Sequence, residues 1–345
     1  MLTSRTANLA PQIMARPRIK LLMAGGTIGM MHNKQTRALE PAQDIGAIFQ
    51  LMPELQKEAH IDSEVVMNID SSDLKPAHWE TLADRIIKTY DHFDGFVVTH
   101  GTDTMSYTAS ALSFALQSLS KPIIFTGGLM PLNELGSDSR NNLIYACRIA
   151  SLNLAEVAIV FGSKILRGNR ATKCRETYFD VFESPKFPAL GEILRPIKLN
   201  PWRKKRRKRI PKFKPKFDNK VAIIKLFPGF DSEYLQHIIK SGIKGIVLEG
   251  FGPGNIPSDL VEVIKKECNQ TIPVIATTQM KYGETNLEAY NVGYQALKAG
   301  IIEGHDMTTE TCVTKLMWCL GQTSNMKKIS TMMGTDYAGE LTVES

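Results

Sequence analysis

Hydroxyls, a carboxylate and glycines collect where short apolar runs of this chain end. Ile19–Ala24 leads into Gly25-Gly26-Thr27-Ile28-Gly29, Gly95–Thr99 into His100-Gly101-Thr102-Asp103-Thr104, and Pro122–Thr126 into Gly127-Gly128. Glycines let backbone approach a ligand closely, and hydroxyls beside them can bind it, cap a turn or attack. A glycine-rich turn after the first strand also invites a dinucleotide reading. The spacing fails: Gly25-Gly26-x-x-Gly29 is not G-x-G-x-x-G, there is no G-K-[ST], and Thr27 stands where closely packed backbone is wanted. Taken alone, Thr27 reads as a cap for the next turn, and Asp70-Ser71-Ser72-Asp73 as a polar turn before a helix.

The apolar runs that present these residues alternate with amphipathic stretches. Val157–Phe161 continues the series, and Pro76–Tyr90 places Trp79, Leu82, Ile86 and Ile87 on one face, while Asn141–Leu152 follows a polar start at Ser137–Ser139. Apolar strands separated by helices predict an α/β protein with a parallel sheet covered on both faces. In such sheets ligands sit beyond the carboxyl ends of the strands, where the turns above lie. The pattern restarts at Val221–Leu226, Gly245–Glu249 and Pro273–Thr277. Residues 194–219 between the two sets are rich in proline and basic residues and have no hydrophobic period. The reading is a leader over 1–17, an N-terminal catalytic domain over 18–199, a basic interdomain linker over 200–219 and a smaller C-terminal α/β domain over 220–345.

Composition agrees: 345 residues with 43% hydrophobic and 22% charged exclude the disordered and fibrous classes, and no apolar run is long enough to span a bilayer. The net charge of +7 is local. Residues 203–216 hold ten Lys or Arg and no acid, which leaves −3 for the rest. That run reads either as a solvated, partly disordered connection or as a polybasic element for nucleic acid, an anionic surface or nuclear import; any nucleic-acid partner would be held through Arg203–Arg209. Five cysteines, none in a C-x-x-C pair, fit a reducing compartment; Cys312 and Cys319 read as core thiols. Glu303, His305 and Asp306 lack the spacing of a metal site. The leader carries Arg5 and Arg16 with Thr3, Ser4 and Thr6 and no acid, weakly like a transit peptide; Met14 is an alternative start, and a cytoplasmic protein is the plainer reading.

Several segments together closely resemble the bacterial and archaeal L-asparaginase family, nearest its cytoplasmic type I members. They are Gly25–Gly29, Met67–Asp73, Asp94–Tyr107, Ser137-Asp138 with Asn142-Leu143, Gly168–Lys173, Phe179–Ser184, Leu248–Asn255 and Asp306–Glu310 leading to Lys315–Trp318. The resemblance implies a flavodoxin-like N-terminal domain and a cofactor-free, metal-free hydrolysis of L-asparagine. It makes Thr27 the nucleophile and gives proton transfer and water activation to Thr102, Asp103 and Lys173. Ser71 and Asp103 would hold the substrate's α-carboxylate and α-ammonium, Asp70 and Ser72 would line the pocket, and Asn255 would reach a neighbouring subunit of a homodimer or homotetramer. His100 is then a packed, hydrogen-bonded histidine rather than the proton acceptor.

Hydrolysing a carboxamide needs a nucleophile, a group to take its proton and donors for the oxyanion, and this set supplies them. Two departures stand out. The family's loop tyrosine after the first motif is missing, with His32 the only ring between Gly29 and Phe49, and the basic run is longer than the family linker. The rival reading is the ammonia-generating, asparaginase-like subunit of a glutamyl-tRNA amidotransferase. That subunit carries an extra N-terminal domain, and only 24 residues precede Gly25 here.

Overall fold

The computed structural model describes residues 16–32, 39–41, 52–268 and 271–342, and for residues 31, 32 and 39–41 the backbone alone. Residues 1–15 of the expected leader and the side chain of His32 lie outside it. The first sheet is built on five parallel strands, β1 (Arg18–Met23), β2 (His60–Val65), β3 (Gly95–Thr99), β4 (Ile123–Thr126) and β5 (Val157–Phe161), in spatial order β2-β1-β3-β4-β5. Every residue of β3, β4 and β5 is buried, as a sheet covered on both faces requires. β6 (Lys164–Arg167) returns antiparallel to β5. A short antiparallel pair follows, β7 (Thr172–Lys173) with β8 (Phe182–Glu183).

Helices cover the sheet. α1 (Pro76–Thr89) opens with proline at its first turn and buries Trp79, Leu82, Ala83 and Ile86, one stripe at helical spacing. α2 (Met105–Ala115) is buried almost all round because it lies between the first sheet and the C-terminal half. α3 (Asp138–Ile149) is capped by Ser137, whose hydroxyl accepts the Ser139 N–H. Its Asp138 carboxylate receives the N–H groups of Leu129 and Met130, so the Ser137-Asp138 motif fixes the loop after β4.

The second sheet contains four parallel strands, Val221–Lys225, Gly245–Gly250, Val274–Thr278 and Ile302–Glu303. α4 (Thr309–Gln322) joins the halves. Trp318 on it is fully buried and stacks on Phe114 of α2 at 5.8 Å, and Thr311 is 3.1 Å from Ser110. Arg170, fully buried, pairs with Asp306 at 2.7 Å. Two of the residues set aside as metal ligands have other partners: Asp306 holds Arg170, and Glu303 accepts the Leu287 N–H. Among the described residues no helix is long and apolar enough to cross a membrane.

The basic run is not the loose connection its composition suggests. Arg206 donates to the carbonyls of Leu152, Asp94 and Ala150, the Lys204 N–H binds Glu156, and Lys212–Phe213 pairs with Leu116–Gln117 beside α2. Main-chain carbonyls at the end of α3 and before β3 replace water around the Arg206 guanidinium, which ties the segment to the sheet at the end where β3 begins.

Candidate active site

Three loops meet beyond the carboxyl ends of β1 and β3, and glycine is what allows it. Gly25 and Gly26 have φ of +104° and +88°, and a Cβ on Gly25 would strike the Ile69 carbonyl. A Cβ on Gly26 would lie 2.6 Å from the Gly101 nitrogen, and one on Gly101 would lie 2.5 Å from Ser71 Oγ. The segments bearing Thr27, Ser71 and Thr102 are therefore in backbone contact. Thr27 itself opens a single 3-10 turn, Thr27–Gly29, and is half-buried.

The Ser71 turn is tied down from two sides. Asp70 caps it, accepting from the Ser72 N–H at 2.9 Å and the Ser72 hydroxyl at 2.8 Å, and these donors hold its carboxyl below the ordinary range. Thr104 donates to the Ser71 carbonyl at 2.7 Å, linking the turn to the start of α2. Ser71 is buried, whereas Asp70 and Ser72 are exposed. The carboxyl of Asp70, expected to line a pocket, is thus engaged with its own turn.

Lys173 closes the arrangement from β7. Its Nζ donates to Thr102 Oγ1 at 2.9 Å and to Asp103 Oδ1 at 2.6 Å. About seventy residues separate these partners in sequence, and the β7–β8 pairing brings them together. The Lys173 side chain is 23% exposed and that of Asp103 64%, so the pair faces a region a small solute can enter. His100, between the loops, is wholly buried; Nδ1 is 2.7 Å from the Gly101 carbonyl, and burial pushes its pKa down to about 4. It is neutral at neutral pH and packs on Phe125, in keeping with the structural reading.

Asn255 belongs to the second half of the chain. It lies in the loop after Gly245–Gly250, bridged to Phe251, with its Oδ1 buried and without a partner. Sequence reasoning missed the groups that hold β7 and β8. Next to Lys173, Thr172 donates to Glu310 of α4 at 2.5 Å. Glu183 accepts from Tyr282 at 2.6 Å and pairs with Arg175 at 2.5 Å, with Lys281 at 3.4 Å; the Tyr282 bond and then the cations draw its carboxyl down to about 2. No periodicity flags such contacts. Thr104 was visible only as part of the Thr102-Asp103-Thr104 string.

Residues 18–205 match the family model described as "Asparaginase, N-terminal" and residues 220–333 the one described as "Glutaminase/Asparaginase C-terminal domain". The chain belongs to the asparaginase/glutaminase family. An L-asparaginase of Thermococcus kodakarensis is 35% identical, covering 94% of this chain and 99% of its own. A solved structure of a thermostable L-asparaginase from Thermococcus kodakarensis superposes with a TM-score of 0.89 at 34% identity, over 95% of this chain and all of that one. A glutamyl-tRNA(Gln) amidotransferase subunit of Pyrococcus abyssi is 37% identical over 94% of this chain and 77% of its own length. The fold is thus that of type I L-asparaginases, a mixed α/β chain with a smaller C-terminal α/β unit.

Proposed function

We propose that this protein hydrolyses L-asparagine to L-aspartate and ammonia, with Thr27 as nucleophile. The observation that carries the reading is Lys173 Nζ within 2.9 Å of Thr102 and 2.6 Å of Asp103, on a loop packed against the one that bears Thr27. Thr27 Oγ adds to the carboxamide carbon as its hydroxyl proton passes to the departing nitrogen; backbone N–H groups around Gly26 receive the oxyanion; ammonia leaves and an acyl-threonine remains. Thr102 and Lys173 then take a proton from water as it attacks that ester and deliver it to Thr27 Oγ as the ester bond breaks, which releases aspartate and restores the threonine. A substrate α-ammonium paired with Asp103 removes the lysine's counter-ion and frees Lys173 to act on Thr102. Ser71 faces the α-carboxylate, and Asn255 of a second copy completes the site in a homo-oligomer located in the cytoplasm, as a relative from Campylobacter jejuni named a probable cytoplasmic L-asparaginase is consistent with.

The test is ammonia release from asparagine by the parent chain, Thr27→Ala and Thr102→Ala. Each variant should lose about 10⁴-fold in kcat, the scale of removing a member of a cooperating triad. Equal rates in all three discard the assignment. The identity to the Pyrococcus amidotransferase protein favours a second reading, an ammonia-generating subunit acting with a partner on glutamyl-tRNA. Co-purification with a second protein and no activity on free asparagine would select it.

A further inference from the structure

The basic run takes no part in the proposed reaction, and both of its ends are held while its middle is not. On one side Arg203 donates to the carbonyls of Asn153 and Asn200, and Arg206 to three more. On the other, Lys212–Phe213 pairs with Leu116–Gln117, the Trp318 indole donates to the Lys214 carbonyl and the Phe217 N–H to Glu80. Between these anchors Arg207, Lys208, Arg209 and Ile210 are exposed, Ile210 to 89%, in chain without helix, turn or bend. Among the described residues none of the four makes a hydrogen bond or an ion pair, through main chain or side chain. Exposed cations such as Lys88 and Lys328 differ: they sit inside helices, where the main chain is already hydrogen-bonded.

Proteolysis concentrates where exposed backbone is untied. A protease can take its substrate as a strand, using free main-chain N–H and C=O groups, with one side chain in a specificity pocket. Residues 207–210 offer unpaired backbone and three consecutive cations for a pocket that carries an acid. We propose that Arg207–Arg209 is a cleavage site for a protease of trypsin-like specificity, and that the cut protein stays together as a two-part enzyme. Water splits the amide, its hydroxyl going to the carbonyl carbon and its hydrogen to the released nitrogen. The cut falls between the residues that match the two family models, 18–205 and 220–333. The new ends remain tied by the anchors above. The halves remain joined by the Trp318–Phe114 stack, the buried Arg170–Asp306 pair and the Thr172–Glu310 bond beside Lys173. Retained turnover rests on the reaction assigned to Thr27; cleavage and docking do not.

Limited digestion of the native full chain with trypsin tests this, with fragments identified by mass and sized by gel filtration. The first cut between residues 52 and 342 should follow Arg207, Lys208 or Arg209, and both fragments should elute together at the volume of the uncut protein. Ammonia release from asparagine should stay within about twofold of the uncut rate. The variant R207Q/K208Q/R209Q, with unchanged circular dichroism, should slow separation into two chains at least about tenfold, because its pocket-filling cations are gone; K88Q/K328Q should not slow it. A first cut elsewhere in that range, equal rates in the parent and the triple variant, or halves that elute apart would each overturn the proposal. Loss of turnover on cutting a chain that was active before would do so as well. An uncut chain that releases no ammonia would instead fail the reaction assigned to Thr27, since the position of the cut and the co-elution are read without it.

Discussion

The seam between the halves and the loop cluster around Thr102 are both polar, but only the seam is dry. Arg170 and Trp318 are fully buried there, whereas the Lys173–Asp103 pair remains open to solvent. A buried ion pair that loses one member leaves an uncompensated charge and costs stability heavily; a partly exposed pair contributes little to folding. Damage to the first region should therefore appear as unfolding, and damage to the second as lost turnover.

The largest separation should come from Lys173→Met, with ammonia release lowered about 10⁴-fold and the free energy of urea unfolding changed by less than ~1 kcal/mol. A comparable loss of stability would erase the distinction. Arg170→Met should do the reverse, reducing unfolding free energy by about 3–5 kcal/mol while folded enzyme in low denaturant keeps its kcat within a few-fold. His100 supplies a pH-dependent term. Its folded pKa is about 4 against an ordinary 6.5, so the unfolded chain takes up the proton more readily. The stability this provides is complete above pH 6.5 and is lost as pH falls through 4, about 3 kcal/mol at most. Denaturation curves between pH 7 and 4 should flatten in His100→Asn. The smallest effect belongs to Asp70→Ala, about 1 kcal/mol for a lost cap; a large loss of activity with unchanged KM would instead put that carboxylate in the chemistry.

Much of the fold was legible because its signals are local. The buried strands β3, β4 and β5 read as unbroken apolar runs, and α1 and α3 announce their starts with Pro76 and Ser137. The loops bearing Thr27 and Thr102 could be picked out since their glycines follow strands, whereas Asp70–Asp73, which has no glycine, stood out only through its motif. Lys173 was identified through its motif, but its distances to Thr102 and Asp103 depend on a two-residue strand pairing that no period reveals. The anchoring of the basic run was invisible for a similar reason. Arg206 is satisfied by carbonyls at three separate positions, and a carbonyl has no signature in a sequence.

The hairpin that carries Lys173 is gripped from the C-terminal half, by Glu310 on Thr172 and by Tyr282 on Glu183. A chain cut before Val221 would retain Thr27, Thr102, Asp103 and Lys173 and still forfeit both clamps. Owning the reacting groups is thus not enough: the second half serves as the jig that keeps the amine in register with its alcohol.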